Sequence, residues 1–101
     1  TTPWQSPDTA SAWHLYIIRL NDGPGQNHRR VFEALRAAGI GVNLHYIPLH
    51  MQPYYQEMGF RLENYPEANA YYREAISLPM FPSLTGDQQD EVIHKLGLAL
   101  L

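Results

Sequence analysis

Apolar side chains recur along this chain with two distinct periods. In "AWHLYIIRL" (Ala12 to Leu20), Trp13, Leu15 and Ile17 alternate with His14, Tyr16 and Ile18, the period of a strand. Both sets are largely apolar, which predicts a central strand. "NHRRVFEALRAAGIG" instead sets Val31, Leu35 and Ala38 at helical spacing, with Phe32 beside them. Asn27 is placed to cap this helix, and Gly39 to end it in the left-handed conformation that side chains resist. The intervening "NDGPGQN" (Asn21 to Asn27) is dense in turn formers.

"GVNLHYI" returns to the strand period, with Val42, Leu44 and Tyr46 on one face and Asn43, His45 and Ile47 on the other. Pro48 ends it, because proline has no N–H for a ladder. Residues 49–64 are irregular apart from a short helix predicted from Pro53 to Met58. Pro66 suits the first turn of a helix and Glu67 favours its dipole. That helix, "PEANAYYREAI", sets Ala68, Tyr71, Tyr72 and Ala75 on one side. "ISLPMFP" is a short strand, and Pro79 predicts an edge position or irregular pairing. In the last helix Thr85 and Gln88 have the spacing of a capping box, and Val92, Ile93, Leu96, Ala99 and Leu100 form the buried stripe.

The order β-α-β-α-β-α contains no internal repeat. It predicts an α/β (α+β) two-layer domain, a small three-stranded sheet, mixed or antiparallel, covered by helices on one face.

With 101 residues, 45% hydrophobic and 17% charged, the chain has material for one modest core. Net charge is −3 and no long basic run occurs; the local cluster His28-Arg29-Arg30 lies at a helix start. A nucleic-acid partner is therefore not expected. The absence of cysteine excludes disulfides and thiolate metal sites and fits the cytoplasm. No apolar run approaches the roughly 20 residues that span a membrane. "TTPWQSPDTA" (Thr1 to Ala10) lacks the basic start and apolar centre of a signal peptide, and reads as a linker.

The candidate chemistry centres on "GIGVNLHYIPLHMQPYY" (Gly39 to Tyr55), which carries His45 and His50 around a Tyr and a Pro. On a continuing strand the two imidazoles point to opposite faces, and no third ligand stands at close spacing. No metal site is expected. An imidazole is the natural proton shuttle near neutral pH, yet a histidine on a strand also serves as plain structure. His14 reads as structural, and His28 and His94 as solvent-side helix residues. Ser83 in "FPSLTG" lacks a nucleophile-elbow pattern. Tyr54-Tyr55 and Tyr71-Tyr72 suit a sugar, another subunit or the rim of the core.

The text of the sequence goes further than its periods. "SAWHLYIIRL", "EALRAAGIGVNLHYIPLHMQPYY" and "YYREAISLPMFPSLTGDQQDEVIHKL", in this order, resemble the C-terminal small domain of the DegT/DnrJ/EryC1/StrS family. These are sugar aminotransferases of fold type I that use pyridoxal phosphate. The resemblance runs from Ser11 to about Leu98, and is greatest to the branch that aminates UDP-linked 4-keto-6-deoxy-N-acetylhexoses, as in pseudaminic acid synthesis. It implies a linker at residues 1–10 leading from a large N-terminal domain, and a small domain at residues 11–101. It implies that the large domain holds the cofactor on a lysine. The one lysine here, Lys95, has no family motif around it, so the chain alone is expected to be inert, with no catalytic or cofactor-binding residue. Substrate contact is implied for His45 and Tyr46, with His50 nearby. A UDP-sugar substrate, glutamate as amino donor and a homodimer of the full-length protein follow from the same resemblance. The competing expectation is a non-enzymatic α/β module, sensing a small molecule or serving interaction.

Overall fold

The computed structural model describes residues 1–21 and 27–101. Five residues of the predicted turn at Asn21–Asn27, positions 22–26, lie outside the described residues. Strand β1 (Tyr16–Arg19) pairs antiparallel with β2 (Ala75–Leu78), setting Ile17 opposite Ser77 and Ile18 opposite Ile76. Four helices accompany them among the described residues: α1 (His28–Ala37), α2 (Pro53–Glu57), α3 (Pro66–Glu74) and α4 (Gly86–Leu100). Single 3₁₀ turns occupy Leu49–Met51 and Leu62–Asn64. The result is the expected mixed α/β domain with a small antiparallel sheet and helices.

The second predicted strand is the element that differs most. Only Asn43 pairs, with Ser77, through Asn43 N to Ser77 O at 3.1 Å and Ser77 N to Asn43 O at 2.8 Å. The pairing ends at this one bridge; the next N–H, that of Leu44, points away from β2 as antiparallel geometry requires and donates to Asn43 Oδ1 at 2.8 Å. Pro48 supplies no N–H of its own. Val42 is buried at 2% exposure, whereas Tyr46, expected on the same face, is 75% exposed.

The positions of the strands are also the reverse of those predicted. β2 lies between β1 and Asn43, and Pro79 falls just beyond its end. β1 has its second edge met by Thr1, whose backbone exchanges hydrogen bonds with Arg19 at 2.8 and 2.9 Å. Apolar residues on both sides of β1 report what covers its faces, not its place in the sheet. On one face Ile18 and Leu20 enter the core. On the other, Leu15 and Ile17 line a surface cleft together with Trp4 and Tyr71, and the Arg19 guanidinium lies 5.8 Å from the Tyr71 ring centre. Helix α3 therefore lies across the second face, correcting the one-sided cover expected from sequence. Arg19 also pairs with Glu74 at 2.7 Å.

The core forms between the first face and helices α1 and α4. Ile18, Leu20, Val31, Leu35, Ile40, Val42, Ile76, Val92 and Ala99 make one cluster, flanked by Phe32, Leu78 and Leu96. Val31, Leu35 and Ile76 are fully enclosed. Ala38, Ile93 and Leu100, assigned to buried stripes by spacing, are exposed. Ala38 caps α1 rather than facing the core, and Val92 and Ala99, with Leu96 beside them, seat α4. Gly39 follows α1 at φ +82°, the conformation glycine tolerates. Thr85 and Gln88 form the predicted reciprocal cap of α4. Both tryptophans lie outside the core, Trp4 82% and Trp13 43% exposed.

Candidate functional site

The chain leaves the core at Asn43, and the next three residues build the candidate site. His45 turns back over β2, where its Nδ1 lies 2.9 Å from Ser77 Oγ. Ser77 is 4% exposed, a polar side chain in the otherwise apolar strand "AISL". It sits on the α3 side of the sheet, opposite the face that carries Ile76 into the core. The ring of Tyr46 stands edge-on to His45, with centroids 4.7 Å apart and an interplanar angle of 87°; the peptide joining them is cis. One imidazole is thus anchored to the sheet, and one phenol projects beside it into solvent. Both groups donate and accept hydrogen bonds, which suits the hydroxyls and amides of a polar ligand.

His50 takes a different place. It is 7% exposed, and its Nε2 donates to Asn69 Oδ1 at 2.7 Å. Asn69 Nδ2 in turn donates to Leu62 O at 2.7 Å, which fixes Oδ1 as the acceptor. The His50 ring stacks on Tyr65 at 4.6 Å. Tyr65 stacks on Phe60, Phe60 meets Tyr55 edge-on, and Tyr55 meets Tyr54 in the same way. His50 therefore begins a chain of rings that closes the irregular segment onto α3. Among the described residues no hydrogen bond or ring contact joins it to His45 or Tyr46.

The remaining histidines separate cleanly. His14 precedes β1 and is exposed, rather than sitting within the strand. His94 is exposed on α4, as its helix position predicts. His28 departs from its solvent-side expectation. Its Nε2 donates to Ala75 O at 2.8 Å and its ring stacks on Phe32, because the first turn of α1 abuts the start of β2. A shallow groove of about 550 Å³ runs beside it, lined by His28, Arg29, Phe32, Glu33, Arg36 and Leu44. Glu33 holds the Arg29 guanidinium above its ordinary pKa, by a side-chain hydrogen bond first and charge attraction second. That pair is solvent-exposed, so it adds little to stability. The groove includes neither His45 nor Tyr46, and its imidazole and one of its cations are already bonded.

Among the described residues no group of three metal-ligating side chains comes together, and no helix is long and apolar enough to cross a membrane. Lys95 is the single lysine. It lies on α4, the helix that packs on the far face of the sheet from His45. The side chains gathered at His45 therefore supply no amine for a Schiff base with pyridoxal phosphate. Sequence reasoning passed over Ser77 and Asn69. A buried serine in an apolar strand was the signal for the first; the second carried none.

Residues 1–97 match the DegT/DnrJ/EryC1/StrS aminotransferase family. The spore coat polysaccharide biosynthesis protein SpsC of Bacillus subtilis is 37% identical over 96 residues, covering 92% of this chain and 25% of SpsC. Among solved structures, the chain superposes on the putative sugar aminotransferase Spr1654 of Streptococcus pneumoniae, solved in PMP, PLP and apo forms. For the PMP form the TM-score is 0.80 at 32% identity, over 85% of this chain and 22% of that one. It also superposes on DesV of S. venezuelae in complex with a ketimine intermediate, with TM-score 0.83 at 30% identity, over 97% of this chain and 26% of DesV. The chain thus spans about a quarter of the length of these relatives.

Proposed function

The chain belongs to the DegT/DnrJ/EryC1/StrS aminotransferase family, and from that premise we propose that it is the C-terminal small domain of an enzyme that aminates a nucleotide-linked keto sugar. The substrate is a UDP-linked 4-keto-6-deoxy-N-acetylhexose and the amino donor glutamate, in the cytoplasmic synthesis of pseudaminic acid or another surface polysaccharide. SpsC, named for spore coat polysaccharide biosynthesis, and the motif "GVNLHYIPLH" support this reading. Pyridoxal phosphate supplies the electron sink for moving the amino group. A large domain elsewhere in the polypeptide holds it, with residues 1–10 leading from that domain, and the full-length enzyme works as a homodimer. The chain alone is inert.

The observation that carries the proposal is the His45–Tyr46 pair, anchored by Ser77 at the start of a segment rich in exposed apolar side chains. Tyr46, Ile47, Leu49, Tyr54 and Met58 are each between 49% and 75% exposed. Large apolar side chains exposed in such number along one short segment mark a place where something packs, and we assign it to the rest of the polypeptide. His45 and Tyr46 then sit at the rim of the junction, where they position the sugar without abstracting a proton. In the full-length enzyme His45→Ala is expected to raise KM for the keto sugar or lower kcat/KM; an unchanged kcat/KM removes His45 from the site.

A further inference from the structure

We propose that Ser77 is a positioning residue that sets the tautomer of His45, so that the ring offers an N–H donor at Nε2 to an oxygen acceptor on the ligand. The hydrogen-bond inventory of one buried hydroxyl carries this inference. The Ser77 backbone is committed on both sides to Asn43, which holds the residue rigidly in β2. Its Oγ has one polar partner among the described residues, His45 Nδ1 at 2.9 Å. A hydroxyl has one hydrogen to place. If Nδ1 carried the proton, it would donate to Oγ, and the hydroxyl hydrogen would have no acceptor inside a residue only 4% exposed. A buried donor without a partner is costly. With Oγ–H donating to Nδ1, both atoms are satisfied, and the neutral ring carries its hydrogen on Nε2.

Nε2 has no protein partner among the described residues. No buried side-chain nitrogen or oxygen there is left without a hydrogen bond, so Nε2 is reachable from solvent. The edge-on Tyr46 ring stands beside the same imidazole. The group presented is therefore a fixed donor, matched by a carbonyl, hydroxyl or phosphate oxygen and mismatched to an N–H. The ligand half of this inference rests on the proposed substrate contact of His45; the tautomer half stands on geometry alone.

The test separates the two halves. Long-range ¹H–¹⁵N correlation spectra of the 101-residue chain at alkaline pH are expected to show His45 protonated at Nε2 and bare at Nδ1. Ser77→Ala is expected to blend the two tautomers, and Ser77→Thr, which keeps the hydroxyl, to restore the wild-type pattern. A wild-type ring protonated at Nδ1 overturns the inference outright, with no variant needed. In the full-length enzyme Ser77→Ala is expected to raise KM about fivefold, the scale of one neutral hydrogen bond, with kcat little changed and Ser77→Thr rescuing it. Weaker inhibition by UDP in Ser77→Ala assigns the acceptor to the diphosphate; unchanged UDP inhibition with raised KM assigns it to the sugar. If the tautomer responds to Ser77→Ala while KM ignores both Ser77→Ala and His45→Ala, the Ser77–His45 link stands and the substrate contact falls.

Discussion

Asn69→Ala tests how the irregular segment between Asn43 and α3 is held. The substitution removes the acceptor of His50 Nε2 and the donor to Leu62 O, both at 2.7 Å. These two losses are unequal. Leu62 is 45% exposed, so water replaces the lost donor at small cost. His50 is 7% exposed, and its N–H is left with little water to turn to, at about 2 kcal/mol. Alanine returns about 0.5 kcal/mol of helix propensity within α3. The net loss is about 1.5 kcal/mol, which for a domain of this size lowers Tm by about 6–12 °C if the segment unfolds with the core. Thermal unfolding followed in parallel by far-ultraviolet and near-ultraviolet circular dichroism reads both the core and the ring chain that starts at His50. If the segment melts separately, the near-ultraviolet transition alone moves down. A Tm within about 2 °C of wild type by both signals would show that the His50–Asn69 bond is not what closes the segment.

Other perturbations reach different parts of the molecule. Leu35→Ala, in a fully enclosed position of α1, is expected to cost about 3 kcal/mol in urea unfolding; a loss below about 1 kcal/mol would mean that α1 and α4 do not enclose the main core. Thr85→Ala removes the acceptor of Gln88 N at the start of α4 and is expected to cost about 1 kcal/mol, with Thr85→Ser near neutral. Pyridoxal phosphate added to the isolated chain is expected to give no saturable change in visible absorbance and no amino transfer from glutamate. Either signal would overturn the assignment of the cofactor lysine to the rest of the polypeptide.

Local rules were legible in the sequence at several places where one residue type satisfied one local need, though Asn27 makes no side-chain cap for α1. Thr85 and Gln88 announced a reciprocal cap, Gly39 a helix stop, and Pro66 a first turn; all three hold because each depends on neighbours within four residues. The strand arrangement was not legible in this way. Two apolar faces on β1 predicted a central strand, yet the second face owes its cover to Tyr71 of α3, a contact made across more than fifty residues. The second strand had the right period, yet only Asn43 pairs with Ser77, and Tyr46 turns out to solvent. At the site, His45 and Tyr46 emerged from a resemblance rather than from periodicity. The role of His50 depended on Asn69 and Tyr65, 19 and 15 positions downstream, which no local pattern connects to it. Ser77 was readable in principle, since a hydroxyl in the middle of a buried apolar strand must find a partner.

The placement of the two indoles has a practical consequence for anyone following this domain in solution. With Trp4 and Trp13 both in contact with water in the folded state, their emission changes little when the core comes apart, so fluorescence excited at the indole band would underreport unfolding. The phenol rings from Tyr54 to Tyr65 supply the better optical signal, and it originates in a part of the molecule apart from the core cluster. The chain thus carries a built-in reporter for its irregular segment, while its core is reported chiefly by Tyr16 at its edge, and a melting curve means different things according to which chromophore records it.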